Sequence, residues 1–294
     1  MSTALGINGE TRLYGILGHP VASSLSPAMH NAAFAALGIN GAYVPFPTHP
    51  EQLKTAVKGL TQAGVAGFNL TVPHKQTILP LLDEITPLAQ TIGAVNTVRV
   101  DDGRLSGTNT DGDGLLRGLK EDLDWSPEGQ RVLLLGAGGA ARGIAFALLA
   151  AGVARLDIAN RTAATALSLA SDCAGQYPEE SPVISGLAMD QIIQAQPGEG
   201  YSLVINSTSV GMGDGKSPID LAGLQVRGSV ADIVYTPLET PLLKQAKELG
   251  IPITNGLGML LHQGWLAFQF WTGMEPPLEV MRNALMEGLA ARGK

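Results

Sequence analysis

Short apolar runs alternate with longer stretches of helical periodicity along most of the chain. In the first half, this pattern predicts strands at residues 13–17, 41–46, 67–71 and 96–100, with helices between them. The best-marked helix is 27–37, with Ser26 as its predicted N-cap and Gly38 at its exit. Asp101-Asp102-Gly103 predicts the tight turn of a hairpin. The following residues, 107–114, are polar and rich in turn-forming types.

The same alternation continues in the second half. We predict strands at 132–135, 156–159, 203–206 and 230–234, and helices at 140–151, 162–174, 256–271 and 277–291. Strands that alternate with helices are typical of βαβ units and a mostly parallel sheet. We therefore predict an α/β protein with a first domain at 1–110 and a second at 111–255, and we expect the last helices, 256–294, to return to the first domain.

Composition narrows the class of ligand. The 294 residues include 45% hydrophobic and 15% charged residues, enough to bury a sizeable core. A formal net charge of −7 and a pI near 5.2 argue against nucleic acid or an anionic membrane surface as partner. A small molecule is the expected ligand.

Several features favour a cytoplasmic protein. Cys173 is the single cysteine and cannot form an internal disulfide, and the first residues carry no signal pattern. The longest apolar run, 143–154, is shorter than the ~20 residues that a membrane-spanning helix needs. We expect no membrane segment, and a homodimer is an option that the sequence leaves open.

A glycine-rich turn follows the predicted strand 132–135. Residues 136–141, Gly-Ala-Gly-Gly-Ala-Ala, satisfy G-x-G-x-x-G/A and open a predicted helix. Small residues there let the backbone approach a pyrophosphate held at the helix N-terminus. A glycine pattern alone can also mark a close helix–strand turn, but the order strand, turn, helix favours dinucleotide binding.

The end of the next strand indicates which dinucleotide is expected. An acidic residue at that position would bond the ribose 2′-hydroxyl, whereas an arginine would accept a 2′-phosphate. The strand ends in Asn160-Arg161-Thr162, and Asp157 lies inside it, where its carboxylate would point away from the cofactor crevice. We predict NADP rather than NAD; the alternative is that Arg161 is a solvated residue at a helix start.

Polar clusters follow the predicted strands of the first half, where open α/β sheets bind their ligands. Ser24 and Ser26 precede a helix N-terminus, which can offer donors to a carboxylate. Residues 69–75 end in Lys75, at a loop or helix start, although a lone lysine is usually a surface charge. Asp111 precedes Gly112, which is also an ordinary arrangement in a turn.

These motifs together resemble those of shikimate dehydrogenase. In the family's order they are Ser-Leu-Ser-Pro, Asn-Leu-Thr-Val-Pro-His-Lys, Gly-Ala-Val-Asn-Thr, Asn-Thr-Asp-Gly, Gly-Ala-Gly-Gly-Ala, Asn-Arg-Thr, Asn-Ser-Thr-Ser-Val-Gly-Met and Asn-Gly-Leu-Gly-Met. The resemblance covers about residues 13–273. It implies an oxidoreductase acting on a CH–OH group that reversibly reduces 3-dehydroshikimate to shikimate with NADPH, in the shikimate pathway to chorismate and aromatic amino acids.

The resemblance also implies an N-terminal α/β substrate domain and a Rossmann-like NADP domain, with the active site in the cleft between them. Lys75 and Asp111 are the implied catalytic pair. The implied substrate-binding residues are Ser24, Ser26, Thr71, Lys75, Asn96, Asp111, Tyr235 and Gln263. The implied cofactor-binding residues are Gly136, Ala137, Gly138, Gly139, Ala140, Asn160, Arg161, Thr162, Ile233 and Gly256.

Two positions depart from the family pattern. Ser23 stands where the family commonly has histidine, and Thr165 stands where it often has a second arginine, which leaves Arg161 as the main cation for the 2′-phosphate. The histidines lack metal-ligand spacing, so no metal is expected. Two alternatives stay open at this point: a quinate/shikimate dehydrogenase with relaxed cofactor use, and a non-catalytic module that senses NADP or a shikimate-like acid.

Overall fold

The computed structural model describes residues 6–177 and 182–292; the terminal residues of the predicted domains, 1–5 and 293–294, lie outside this range. Its strands are β1 (Arg12–Gly18), β2 (Gly41–Pro47), β3 (Gly67–Leu70), β4 (Glu84–Ile85), β5 (Thr97–Asp101), β6 (Arg104–Thr108), β7 (Arg131–Leu135), β8 (Arg155–Asn160), β9 (Val183–Ala188), β10 (Tyr201–Asn206), β11 (Val226–Asp232) and β12 (Ile253–Thr254). Its helices are α1 (Ser26–Ala36), α2 (Leu53–Gln62), α3 (His74–Thr77), α4 (Pro87–Ile92), α5 (Asp111–Leu123), α6 (Gly139–Ala150), α7 (Ala163–Gln176), α8 (Ile192–Ala195), α9 (Pro241–Glu248), α10 (Leu257–Thr272) and α11 (Leu278–Arg292).

The chain forms two compact units, each with its own sheet. The first unit takes in the residues up to Thr110 and those from Leu260 onward, and the second is Asp111–Met259. Each unit combines one sheet with several helices. The predicted two-domain α/β class is confirmed.

The sheet of the first unit has the strand order β2-β1-β3-β5-β6-β4. Strand β1 is parallel to β2 and β3, whereas β5 is antiparallel to both β3 and β6. The predicted hairpin joins β5 to β6, and Asp102 and Gly103 turn it with φ angles of 48° and 79°. Positive φ at both central residues gives a turn whose twist matches that of the flanking strands.

An aromatic cluster on one side of this sheet buries a histidine. His30 of α1 is fully buried, and its ring centroid lies 4.5 Å from that of Tyr43 and 5.1 Å from that of Trp271. Trp271 also donates its indole N–H to the carbonyl of Val98, at 2.9 Å, which joins α10 to β5. Neither ring nitrogen of His30 has a hydrogen-bond partner within the described residues. Burial lowers the pKa of His30 to about 3.

The sheet of the second unit is parallel throughout, in the order β12-β11-β10-β7-β8-β9. Strand β7 lies in the middle, and the chain builds outward first through β8 and β9 and then, on the other side, through β10 to β12. This is the Rossmann order, in which dinucleotides bind where the strand order reverses, here between β7 and β10. The central strands are almost continuously buried, as helices on both faces of a parallel sheet require.

The predicted turn-rich stretch at 107–114 is wrong in its second half, because α5 begins at Asp111. The glycines there serve helix packing. A Cβ at Gly112 would lie 2.4 Å from the Cβ of Ala147, so glycine permits α5 to pack closely on α6. Asp111 itself suits the first turn of a helix, where a negative charge is favoured.

Within the described ranges, none of the helices is long and apolar enough to cross a membrane.

Burial of His30 predicts an acid-sensitive term in stability. Because the folded state lowers the pKa of His30, stability from the neutral ring is complete above about pH 6.5 and is lost as pH falls towards 3. Between about pH 7.5 and about pH 5 this term lowers the free energy of unfolding by roughly 2 kcal/mol. Urea unfolding at both pH values measures it.

The His30→Phe variant keeps an aromatic ring in the cluster and should lose this share of the pH dependence. The exposed His49 offers a matched control, since His49→Gln should unfold with the wild-type pH dependence. An unchanged pH dependence in His30→Phe would mean that His30 does not carry the term.

Candidate active site

Of the two serines predicted to bind a carboxylate, Ser24 lies in the loop that joins β1 to α1, and Ser26 lies at the start of α1. Ser26 is the first residue of α1 and is buried, so its predicted role as N-cap is wrong. Leu25 occupies the N-cap position with φ −93° and ψ −6°, already helical, which moves the helix start one residue earlier. The hydroxyl of Ser24 accepts the backbone N–H of Ser26 at 3.2 Å. Because that bond uses an oxygen lone pair, the Ser24 O–H stays able to donate to a ligand.

Thr71 and Lys75 lie at the end of β3. The backbone N–H of Thr71 donates to the carbonyl of Leu17 at 2.9 Å, and Lys75 is the second residue of α3. The carbonyl of Lys75 accepts the N–H of Val95 at 2.8 Å, which ties the lysine segment to the strand residues that precede Asn96. The Lys75 side chain belongs to a partly exposed residue at the edge of the first sheet.

A buried hydrogen-bond network fixes Asn96. Its amide donates to Thr110 Oγ1 at 2.9 Å, and its carbonyl oxygen accepts the Thr110 N–H, also at 2.9 Å. Asn69 Nδ2 donates to the backbone carbonyl of Asn96 at 3.1 Å and to Thr97 Oγ1 at 3.0 Å. Asn69 Oδ1 accepts the phenolic hydrogen of Tyr43 at 2.7 Å. All five residues are buried.

This network fixes Thr110, the last residue of this part of the first unit. Asp111 follows Thr110 directly, is 3% exposed and opens the helix, so its interpretation as a turn residue is wrong. Asn96 therefore joins, by its neighbour Val95 and by its own side chain, the Lys75 segment and Thr110 within the first unit. Sequence analysis missed Tyr43 and Thr110; the one available signal was a tyrosine in a strand with few other polar groups.

Gln263 and Tyr235 are both half-buried. Gln263 lies on α10, and its amide donates to the carbonyl of Leu260 at 2.8 Å, within the same helix. Tyr235 lies in the second unit, shortly after β11 ends at Asp232. These two residues thus belong to different units.

The glycine-rich loop joins β7 to α6 as predicted. Gly136 has φ 107°, and a Cβ there would lie 2.7 Å from Ser207 Oγ, so both backbone and space require glycine. At Gly138, by contrast, a Cβ would meet nothing within 4 Å. Gly138 is exposed at the N-terminus of α6, and that open approach is what a pyrophosphate needs. Ala137 lies in this loop, and Gly139 and Ala140 are the first two residues of α6.

The residues predicted to bind the 2′-phosphate end of the cofactor lie at the end of β8 and directly after it. Arg161 and Thr162 are exposed between β8 and α7, and Asn160 donates its side-chain amide to the Thr162 carbonyl at 3.1 Å. Asp157 is fully buried in the strand, where it accepts hydrogen bonds from Tyr201 Oη at 2.7 Å and Arg155 Nε at 2.8 Å. Its carboxylate is committed to the core, as expected from its place inside the strand.

A second buried hydrogen-bond network lies at the ends of β10 and β11. Asp232 accepts from Asn206 Nδ2 at 3.0 Å and from Thr240 Oγ1 at 2.7 Å. Burial raises the pKa of Asp232, while the hydrogen bonds from Thr240 and Asn206 work in the opposite direction. Ile233 follows directly, and a Cβ at Gly256 would lie 2.0 Å from its carbonyl oxygen, so only glycine fits there. Sequence analysis did not find Asp232 or Thr240.

Across the described ranges, no group of three or more His, Cys, Asp or Glu residues is arranged to hold a metal ion.

Comparison with known proteins gives consistent matches along the chain. Residues 16–98 match the shikimate dehydrogenase substrate binding domain, 119–195 match shikimate / quinate 5-dehydrogenase, and 256–286 match the shikimate 5′-dehydrogenase C-terminal domain. The shikimate dehydrogenase (NADP(+)) of Geobacter sp. strain M21 is 51% identical over 288 residues, 98% of this chain and 99% of that protein. The enzyme of the same name from Citrifermentans bemidjiense is 49% identical over 292 residues, 98% of this chain and 99% of its own.

A solved structure agrees with these relatives. The crystal structure of shikimate 5-dehydrogenase from Thermus thermophilus, in complex with NADP(H) and shikimate, has a TM-score of 0.83 and 39% identity, over 94% of this chain and 99% of that one. Likeness at this level, over nearly the full length, confirms the family that the ordered motifs indicated. The chain belongs to the shikimate dehydrogenase family.

Proposed function

We propose that this protein catalyses the reversible reduction of 3-dehydroshikimate to shikimate with NADPH, an oxidoreductase step of the shikimate pathway. The observation that carries the proposal is the buried Asn96, whose bonds tie the Lys75 segment to Thr110, the residue before Asp111, in a chain of this family. The first unit, with the helices from Leu260 onward, is the substrate domain, and the second is the NADP domain. The cytoplasmic location and the homodimer stay predictions.

The substrate carboxylate is proposed to bind Ser24 and Ser26, with Tyr235 assisting. The Ser24 hydroxyl already accepts an N–H, so the donor it has left suits a carboxylate oxygen. Thr71, Asn96 and Gln263 are proposed to bind the ring hydroxyls, which both donate and accept. Asn96 is suited to this because the network holds its amide in one orientation.

Lys75 and Asp111 are proposed to move the proton. Oxidation of a secondary alcohol removes a hydride from carbon and a proton from the hydroxyl, and the reverse reaction returns both. A positioned acid–base group lowers the barrier for the proton. An ammonium beside a carboxylate can share one proton between them, so we treat the two residues as a unit.

The fit of the second unit to a dinucleotide rests on its own backbone. Gly136 leaves no room for a side chain, Gly138 leaves open space, and the N–H groups at the start of α6 can receive a pyrophosphate. NADP, when bound, supplies the hydride acceptor. Arg161 is proposed to face the 2′-phosphate, since Thr165 adds no charge there, and Asn160, Thr162, Ile233 and Gly256 complete the proposed cofactor contacts.

A two-by-two assay tests this function: shikimate or quinate against NADP or NAD, followed by the absorbance of the reduced nicotinamide. We expect the largest kcat/KM with shikimate and NADP. Absence of turnover with shikimate would contradict the enzyme proposal and favour a sensing module. A larger kcat/KM with quinate and NAD would favour the quinate/shikimate alternative.

The Arg161→Ala variant should raise KM for NADP about tenfold to a hundredfold, because a charge-assisted contact is worth roughly 1.5 to 3 kcal/mol. KM for NAD, which lacks the 2′-phosphate, should change little. The exposed Arg227, on β11 of the same unit, provides a control, and Arg227→Ala should leave both constants unchanged. An equal rise of KM for NADP and for NAD in Arg161→Ala would contradict the assignment of Arg161 to the 2′-phosphate.

Removing both serine hydroxyls, in Ser24→Ala with Ser26→Ala, should weaken shikimate binding while NADP binding stays intact. Titration calorimetry with each ligand separates the two. The double variant could instead lose chiefly folding stability, by the roughly 0.5 to 2 kcal/mol that a missing helix cap costs. The hydroxyls would then serve the helix start rather than the substrate.

Lys75→Ala should lower kcat by roughly 10²- to 10⁴-fold, as for loss of a general acid–base group. Adding Asp111→Ala should cost far less than a second independent loss, since residues that act as a unit are non-additive. The measurement is a double-mutant cycle on kcat with saturating shikimate and NADP, with a cofactor-binding assay on each variant. Near-normal turnover in Lys75→Ala, or losses that simply multiply, would end the assignment of this pair.

A further inference from the structure

Helix α11 packs against the start of α1. A Cβ at Gly288 would lie 3.2 Å from the Cβ of Ala28 and 3.4 Å from Cδ2 of Leu25, so glycine lets the two helices approach closely. Met281 and Leu285, on the same face of α11 as Gly288 and earlier in the helix, are buried at 0% and 1% exposure. The last turn of α11 is thereby brought to the loop that precedes α1.

Arg292, in that last turn, binds two consecutive carbonyls of the loop. Its Nη2 donates to the Ser24 carbonyl at 2.7 Å, and its Nη1 donates to the carbonyl of Ser23. The residues are nearly the whole chain apart in sequence, yet the planar guanidinium holds both carbonyls at once. A fork of donors in fixed geometry is the property that distinguishes arginine from lysine.

These bonds complete the restraint of Ser24. Its N–H donates to the Val21 carbonyl at 3.0 Å, its hydroxyl accepts the Ser26 N–H at 3.2 Å, and its carbonyl accepts from Arg292. These three bonds therefore restrain the Ser24 backbone on both sides and the position of its Oγ. Without the guanidinium, the carbonyls of an exposed loop would be left to solvent, and the backbone at Ser23 and Ser24 would gain freedom.

We propose that Arg292 is a positioning residue for the substrate carboxylate: it fixes the backbone of Ser23 and Ser24 so that the serine hydroxyls meet the acid group. The proposal rests on the proposed function, in which Ser24 binds that carboxylate. Arg292 acts through the loop and touches no reacting atom. Its loss should thus appear in substrate binding and leave the proton-transfer step and cofactor binding unaffected.

The test compares wild type, Arg292→Ala, Arg292→Lys and Arg104→Ala. Arg104 is an exposed arginine of the same unit, paired with Glu84 at 2.8 Å and remote in sequence from the loop, so it controls for the loss of a surface guanidinium. Steady-state kinetics give KM for shikimate, KM for NADP and kcat, and calorimetry gives Kd for shikimate. Melting temperatures show that all variants are folded at the assay temperature.

For Arg292→Ala we expect KM and Kd for shikimate to rise about 3- to 20-fold, as for loss of a charge-assisted pair in a partly solvated place, with kcat and KM for NADP within about twofold of wild type. Arg292→Lys keeps the positive charge but lacks the planar pair of donors, so it should restore less than half of the lost affinity for shikimate. Arg104→Ala should match wild type.

Three results would overturn the inference. Unchanged shikimate binding in Arg292→Ala would show that the bonds from Arg292 to the two carbonyls are not needed for substrate binding. Full recovery in Arg292→Lys would show that the charge alone acts, and a parallel rise of both KM values would show a general structural effect. Failure of the proposed function is separate from these, since it would appear as a wild-type protein with no shikimate turnover.

Discussion

The side-chain amide of Asn96 is the constraint on which the polar edge of the first unit depends. Both its oxygen and its nitrogen are engaged by Thr110, the last residue before Asp111. A buried amide left without partners costs about 1 to 3 kcal/mol, so the amide has one favourable orientation and Thr110 has one favourable place. Asn69 and Tyr43 extend the same constraint inward to the aromatic core.

The second unit uses backbone rather than side chains for most of its site. Gly136 and Gly256 lie where any Cβ would strike a neighbouring loop or carbonyl, and the all-parallel strand order brings the strand ends to one edge. Asp232 and Asn206 hold the ends of adjacent strands together by a buried hydrogen bond. The first unit thus holds its strand ends by a side-chain network, whereas the second combines close backbone contacts with buried side-chain hydrogen bonds.

The sequence predicted the elements well and the long-range partners poorly. Strands β7, β8, β10 and β11 and helices α1, α6, α7, α10 and α11 lie within a few residues of their predicted places, because each has a clear apolar period; β9 and β12 were not predicted. Helix α5 was not predicted, since Thr-Asp-Gly is typical of a turn and only contact with Ala147 explains Gly112. Ser26 was misplaced by one residue at the helix start.

The pairing of Tyr43 with Asn69 had no local signal, because it depends on the order of strands in the sheet. The same holds for Arg292, whose partners lie at the other end of the chain. Single polar residues in apolar strands indicate that a partner exists, but only the fold identifies it. The glycine-rich loop and Asn160-Arg161-Thr162 were easier, since both lie at strand ends that periodicity marks.

Two tyrosines allow a direct test of the proposal that the Asn96 network supports the reaction. Tyr14 and Tyr43 are register partners on β1 and β2 and are both buried, but only the Tyr43 hydroxyl bonds Asn69; the Tyr14 hydroxyl has no partner within the described residues. The measurement is kcat for shikimate oxidation in Tyr43→Phe and Tyr14→Phe. Tyr43→Phe should lower kcat by about tenfold with KM for NADP unchanged, because Asn69 loses its restraint, whereas Tyr14→Phe should match wild type. Equal kcat values in the two variants would contradict the account.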